Sequence, residues 1–271
     1  MRFKPRILQG KLGIRQLYSE ISREYDFSEK LFITRLMELS EEPVITGFLE
    51  NFKAKYSLDA GAGTGRYLKK LREISDLTIA LDISDKMIYI AKNKYAKISE
   101  KIEYVVADME YLPFRKLAFD MILSTLTINH LEEVDTFLKE AWRTLKVKGV
   151  LIFSTLNKIV LEAYSKKYGI PKDMVLFQTE HITPTYVYEK GSLFNEIVCK
   201  LRIVGFKILK SKAVGYWMIL GLLPKSLEIL SKILMRMRRR NELVKHLDRF
   251  FSLLVPSKYA FIHVFKVFKW K

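Results

Sequence analysis

Leu58-Asp59-Ala60-Gly61-Ala62-Gly63-Thr64-Gly65-Arg66-Tyr67 sets three alternate glycines behind an aspartate. Glycine admits φ > 0 and bares the main chain, and the helical spacing of Tyr67, Leu68 and Leu71 puts a helix amino terminus just beyond. The stretch is a ligand cradle. A dinucleotide loop would carry its third glycine one place later, where Arg66 stands, which argues against NAD and FAD. A phosphate-binding P-loop is excluded because no Gly-Lys-Ser/Thr follows. Asp59 points the same way, since a carboxylate repels phosphate and suits an ammonium or sulfonium. A second carboxylate, Asp82, ends the strand predicted over 77–81. It stands about 20 residues past the loop, where an acidic side chain can hydrogen-bond both hydroxyls of a ribose.

With Val106-Ala107-Asp108-Met109-Glu110-Tyr111-Leu112-Pro113-Phe114, Phe119-Asp120-Met121-Ile122 and Arg143-Thr144-Leu145-Lys146-Val147-Lys148-Gly149, the loop resembles the class I S-adenosylmethionine-dependent methyltransferases. The four ordered matches cover roughly 54–155, and a looser similarity to the quinone-modifying and small-molecule branch runs from Tyr25 to Gly205. The resemblance implies S-adenosylmethionine as cofactor. It implies that Gly61, Gly63 and Gly65 let the methionine part approach, that Asp59 favours its positive groups, and that Asp82 holds the ribose. It further implies that Asp108 bonds the adenine amino group with Met109 beside the ring, and that Ala60, Ile83, Met87 and Thr125 belong to the same binding site. Tyr25-Asp26 would lie in a segment folded over the cofactor; a helix N-cap at Asp26 or Ser28 is the competing reading.

Ser124-Thr125-Leu126-Thr127-Ile128-Asn129-His130-Leu131 would face the transferring methyl group. The Asn-Pro-Pro-Tyr found in enzymes that methylate base amino groups or glutamine amides is absent. His130 matches a histidine of the small-molecule branch that could take a proton from the acceptor, and His181, in Thr179-Glu180-His181-Ile182-Thr183, resembles part of its lid. Both are catalytic candidates. A histidine merely packed beneath the lid is the alternative for His130.

Strands and helices alternate from 54 to 155, which predicts a Rossmann-like α/β three-layer sandwich. Its sheet is seven-stranded and mostly parallel, with an antiparallel last strand over Ala260 to Phe268. Helices over 12–52, with Ile14, Leu17, Tyr18 and Ile21 on one face, form an amino-terminal cap (1–52). The core is 53–212 with 257–271. Residues 156–190 are read as a less regular, aromatic substrate lid. Residues 213–256 are read as a basic amphipathic helical insertion, with Leu227, Leu230, Leu234, Met237, Val244, Leu247, Phe251 and Leu254 on one face. Such an insertion would either cap the pocket or lie on an anionic membrane surface.

The 49% hydrophobic content is ample for a core, and the net charge of +17 is concentrated late: residues 201–271 carry 16 Lys and Arg against 3 Asp and Glu. The single cysteine, Cys199, forbids an intramolecular disulfide, and four scattered histidines show no metal-ligand spacing. No signal-peptide or membrane-spanning run is present, so the expected location is cytoplasmic, with peripheral membrane contact left open. The expected acceptor is a small or lipid-like molecule. Two alternatives stand beside it: an RNA methyltransferase using the basic tail with Tyr216, Trp217, Phe250 and Phe251, and a non-catalytic S-adenosylmethionine-binding protein.

Overall fold

The computed structural model describes residues 5–28, 31–222 and 240–270. A short strand, β1 (Arg6–Leu8), precedes helices α1 (Gly10–Ile21) and α2 (Phe32–Leu49). Alternation then begins with β2 (Ala54–Ala60), α3 (Leu68–Ile74), β3 (Ser75–Asp82), α4 (Asp85–Lys94), β4 (Ile102–Val106), β5 (Phe119–Ser124), α5 (Val134–Thr144) and β6 (Leu145–Leu156). The chain continues through α6 (Lys158–Tyr168), β7 (Met174–Phe177), β8 (Thr185–Tyr188), α7 (Phe194–Val204), β9 (Phe206–Val214), α8 (Arg240–Leu254) and β10 (Ile262–Lys269).

The main sheet has seven strands in the order β4-β3-β2-β5-β6-β10-β9. β2, β3, β4, β5 and β6 pair in parallel, and β10 runs antiparallel to both neighbours. The expected sheet and its antiparallel last strand are therefore present. Strands covered on both faces read as continuous apolar runs, and Met121, Ile122 and Leu123 of β5 and Leu151, Ile152 and Phe153 of β6 are fully buried. The helical faces follow the 3.6-residue period: α1 buries Ile14, Leu17 and Ile21, and α5 buries Phe137, Leu138 and Ala141. On α4, Met87, Ile88 and Ala91 join the core.

The lid is more regular than its composition indicates. Asn157 caps α6 by accepting from the Ile159 N–H, and Gly169 ends it in the left-handed conformation. Beyond it, β7 and β8 form an antiparallel pair, and β1 adds to β8 in parallel, with Arg6 opposite Thr185. This second, three-stranded sheet joins the amino-terminal cap to the lid.

At the start of the expected insertion, β9 continues through buried Val214. Trp217 donates its indole N–H to Ser40 of α2 at 2.6 Å, and Asp248 of α8 accepts from the Gly215 N–H at 2.8 Å. Val244, Leu247 and Phe251 pack into the core cluster that includes Phe48 and Leu49 of α2. Leu227, Leu230, Leu234 and Met237 of the proposed apolar face, with Arg236 and Arg239, lie outside the described residues. Among the described residues no helix is long and apolar enough to cross a membrane.

Candidate active site

The carboxyl ends of the parallel strands meet a cavity of about 430 Å³. β2 delivers Asp59 between Ala80 of β3 and Leu123 of β5. Its carboxyl group is almost fully buried, and that burial pushes its pKa up to about 7, with Asp82 raising it and Arg66 opposing. A buried carboxylate facing a cavity is a receptor for a cation.

The glycines after β2 divide the work. Gly63 has φ +54°, an added Cβ would meet nothing within 4 Å, and its N–H donates to Asp82 at 2.9 Å. It is the open part of the cradle. At Gly61 (φ +79°) an added Cβ would come within 2.2 Å of the Thr127 side chain, so close packing requires that glycine. Gly65 does not line the cavity and turns instead toward Leu68 and Tyr95. The expectation that all three glycines bare main chain to the ligand is thus corrected for Gly65.

Asp82 ends β3 with both oxygens fixed, one by Gly63 and the other by the Ser84 N–H at 2.9 Å. Each oxygen keeps a lone pair for a further donor. Burial raises the Asp82 pKa and the backbone donors oppose that rise. Ser84 then caps α4, accepting from the Met87 N–H. Asp108, just past β4, accepts from the Glu110 N–H at 2.9 Å and from Lys11 Nζ at 2.7 Å.

Of the residues named from sequence, Tyr25, Asp59, Gly61, Gly63, Asp82, Ile83, Met87, Asp108, Met109, Thr125 and His130 line this cavity. Ala60 is buried within the sheet, and His181 is exposed in the lid. Neither reaches the cavity wall. The cap reading of Asp26 and Ser28 is corrected: α2 begins after Leu31, Asp26 accepts from the Thr64 hydroxyl at 2.7 Å and from Lys94 at 2.9 Å, and Ser28 donates to Glu180 at 2.6 Å. The amino-terminal segment is tied to the glycine loop.

Three residues on the cavity wall escape a reading of sequence alone. Lys11 bridges Asp108 and Glu110, Arg66 is bonded to fully buried Glu41 and reaches Thr125 Oγ1 at 3.2 Å, and Tyr18 meets His130 at 2.8 Å. Tyr18 reads as one more apolar residue on a helical face. Only the tertiary fold shows where its hydroxyl points.

The donor set fits S-adenosylmethionine. Asp59 suits a positive centre, open Gly63 suits a chain lying on main chain, and Asp82 offers free lone pairs to hydroxyls. Met87, Met109, Leu81 and Ala107 give an apolar wall for a flat ring.

Comparison with known proteins agrees. Residues 58–153 match a family described as a methyltransferase domain. An uncharacterized protein, MJ1252, of Methanocaldococcus jannaschii is 35% identical over 54% of this chain and 53% of its own length. A ubiquinone biosynthesis O-methyltransferase of Pelagibacter ubique is 35% identical over 43% of this chain and 46% of its own. The chain spans about half the length of these curated relatives. A solved S-adenosylmethionine-dependent methyltransferase of Mesorhizobium loti shares the fold with TM-score 0.58 and 19% identity, covering 84% of this chain and 97% of that one. Residues 58–153 are thus similar to a methyltransferase domain, set in a fold that the chain shares with a solved S-adenosylmethionine-dependent methyltransferase.

Proposed function

We propose that the protein transfers a methyl group from S-adenosylmethionine to a small-molecule or lipid-like acceptor. The observation that carries this reading is the cavity wall, where the aromatic rings of Tyr18, Tyr25 and Tyr67, with Thr125 and His130, line the same cavity as Asp59 and Asp82. When bound, S-adenosylmethionine supplies an electrophilic methyl group. The chain's own residues bind, align and exclude water. In this reading Asp59 balances positive charge, Asp82 takes the ribose hydroxyls, Asp108 takes the adenine amino group, and His130 is the base that offsets loss of the acceptor's proton. His181, exposed in the lid, has no part in that step. The similarity to a ubiquinone biosynthesis O-methyltransferase supports an acceptor of this kind.

Phe250, Leu253 and Leu254 are exposed on α8 beside exposed Lys245 and Arg249. That juxtaposition supports peripheral contact with an anionic bilayer, and with it a lipid-like acceptor.

The test is transfer of label from radiolabelled S-adenosylmethionine into separated small-molecule, lipid, RNA and protein fractions of a cell extract, after calorimetric confirmation of cofactor binding. Label in the small-molecule or lipid fraction is expected. Label in RNA alone would replace this acceptor class, and tight binding without transfer to any fraction would indicate a binding protein.

A further inference from the structure

Three segments distant in sequence converge on His130. From the core comes the short 3-10 turn Ile128–His130, from the cap Tyr18 of α1, and from the lid Tyr188 and Glu189 at the end of β8. His130 Nδ1 lies 3.0 Å from the Tyr188 carbonyl oxygen, and Nε2 lies 2.8 Å from the Tyr18 hydroxyl. A carbonyl oxygen only accepts, so Nδ1 carries the hydrogen. In neutral imidazole Nε2 is then the bare acceptor, and Tyr18 is the donor to it.

This fixed direction leaves the Tyr18 oxygen with free lone pairs on the wall of the cavity, where Tyr18 is a lining residue. His130 and Glu189 are only 7% and 6% exposed, and Glu189 Oε1 stands 3.7 Å from Nε2. His130 lines the cavity too, but Nδ1 is engaged by the Tyr188 carbonyl and Nε2 by the Tyr18 hydroxyl, so a proton from the cavity reaches Nε2 through Tyr18.

We propose that Tyr18 is the catalytic residue that takes the acceptor's proton and passes its own to His130, and that the acceptor group is a weakly acidic hydroxyl such as a phenol or enol. This rests on the methyltransferase reading above and names its acceptor chemistry. As the acceptor O–H breaks, its electron pair stays on the acceptor oxygen, which becomes the nucleophile. Its proton goes to Tyr18 Oη, the Tyr18 proton goes to Nε2, and the positive charge on the imidazolium faces Glu189. Tyrosine ends as it began. Solvent later takes the extra proton from His130.

Each neighbour suits that task. Burial keeps the Tyr18 phenol protonated well above its ordinary range, and the nearby Tyr25, Glu189, Asp82 and Glu38 push the same way. It relays a proton without persisting as phenolate. Burial raises the Glu189 pKa, and charge on His130 opposes that rise, so an imidazolium favours the carboxylate beside it. A carboxylate acceptor, already ionised at neutral pH, has no use for this machinery.

The first test is nitrogen NMR of histidine-labelled protein with S-adenosylhomocysteine bound. His130 should carry its hydrogen on Nδ1, and Tyr18→Phe should shift Nε2 toward a free imine nitrogen while Nδ1 is unmoved. A hydrogen found on Nε2 in the unaltered protein overturns the relay. The second test follows label transfer into the small-molecule fraction of a cell extract. Tyr18→Phe should bind S-adenosylhomocysteine as the unaltered protein does, yet transfer about 100-fold more slowly at pH 7. The deficit should shrink as rising pH ionises the acceptor directly. His130→Gln should show the same profile. A Tyr18→Phe rate equal to that of the unaltered protein at pH 7 sinks the relay alone, whereas no transfer by the unaltered protein sinks the functional reading and the relay with it.

Discussion

Lys11 Nζ lies 2.7 Å from Asp108 Oδ2 and 2.8 Å from Glu110 Oε2, so a residue of the first helix neutralises the carboxylate expected to receive the adenine amino group. The ammonium also stands 4.7 Å from the centre of the Tyr111 ring. Lys11→Met should free Asp108 and speed association of S-adenosylhomocysteine in stopped-flow fluorescence. The Glu110 side chain, 4% exposed, would lose its cationic partner. With Lys11 itself partly exposed, the loss in stability should be about 1 kcal/mol. Slower association would mean that Lys11 helps to hold the ligand.

Asp82 joins two backbone donors, Gly63 and Ser84, to the proposed ribose site. Asp82→Ala removes hydrogen bonds to a charged group, which are worth about 1.5–3 kcal/mol. Titration calorimetry with S-adenosylhomocysteine should show affinity weakened by a corresponding factor of roughly 10 to 100. Unchanged affinity would remove Asp82 from the binding site.

Asp59 gives binding and stability opposite responses to pH. Its folded pKa is raised to about 7, so between the unfolded value and that point the native state holds a proton the unfolded chain has lost. Stability from this group therefore falls as pH rises from about 4 to about 7. A bound sulfonium favours the ionised form, so binding S-adenosylmethionine near pH 6 should release protons. Calorimetry in buffers of different ionisation enthalpy measures that release. Asp59→Asn should reduce it, with the remainder coming from Asp82, whose pKa is also raised.

The two cavity-lining glycines should separate folding from binding. Gly61→Ala places a Cβ 2.2 Å from Thr127 at φ +79° and should lower the melting temperature strongly. Gly63→Ala adds only the left-handed backbone cost, about 1–2 kcal/mol, because its Cβ enters open space. Its main effect should be weaker cofactor affinity. Equal losses of stability in the two variants would contradict this division.

On α8, Leu253→Glu with Phe250→Glu should abolish sedimentation with vesicles of phosphatidylcholine and phosphatidylglycerol while leaving S-adenosylhomocysteine affinity unchanged. Both side chains are exposed, at 81% and 56%. Retained sedimentation would remove the helix from any bilayer contact.

The central sheet was legible because long apolar strands and amphipathic helices report burial locally. Asp59 and Asp82 were legible because strand ends and glycine spacing fix their positions. The second sheet was not: its strands are three or four residues long, and its β1–β8 pairing joins residues 179 apart. Local pattern carries no record of such pairing. Lys11, Tyr18 and Arg66 were missed for the same reason, since each earns its place through a partner supplied by another segment. The helix α6 was a different failure, because Asn157 and Gly169 are legible cap residues that the aromatic content around them obscured.

The position of β10 bears on how the molecule is made. It is synthesised after β9 yet lies between β9 and β6, hydrogen-bonded to both. While the ribosome is still translating, twelve-residue β6 ends the sheet with a bare edge and β9 has no neighbour to dock on. Such an edge is a ready template for another chain. Nascent molecules stalled before Ile262 should accordingly be the ones that chaperones retain and that aggregate, and losing β10 would detach two strands rather than one.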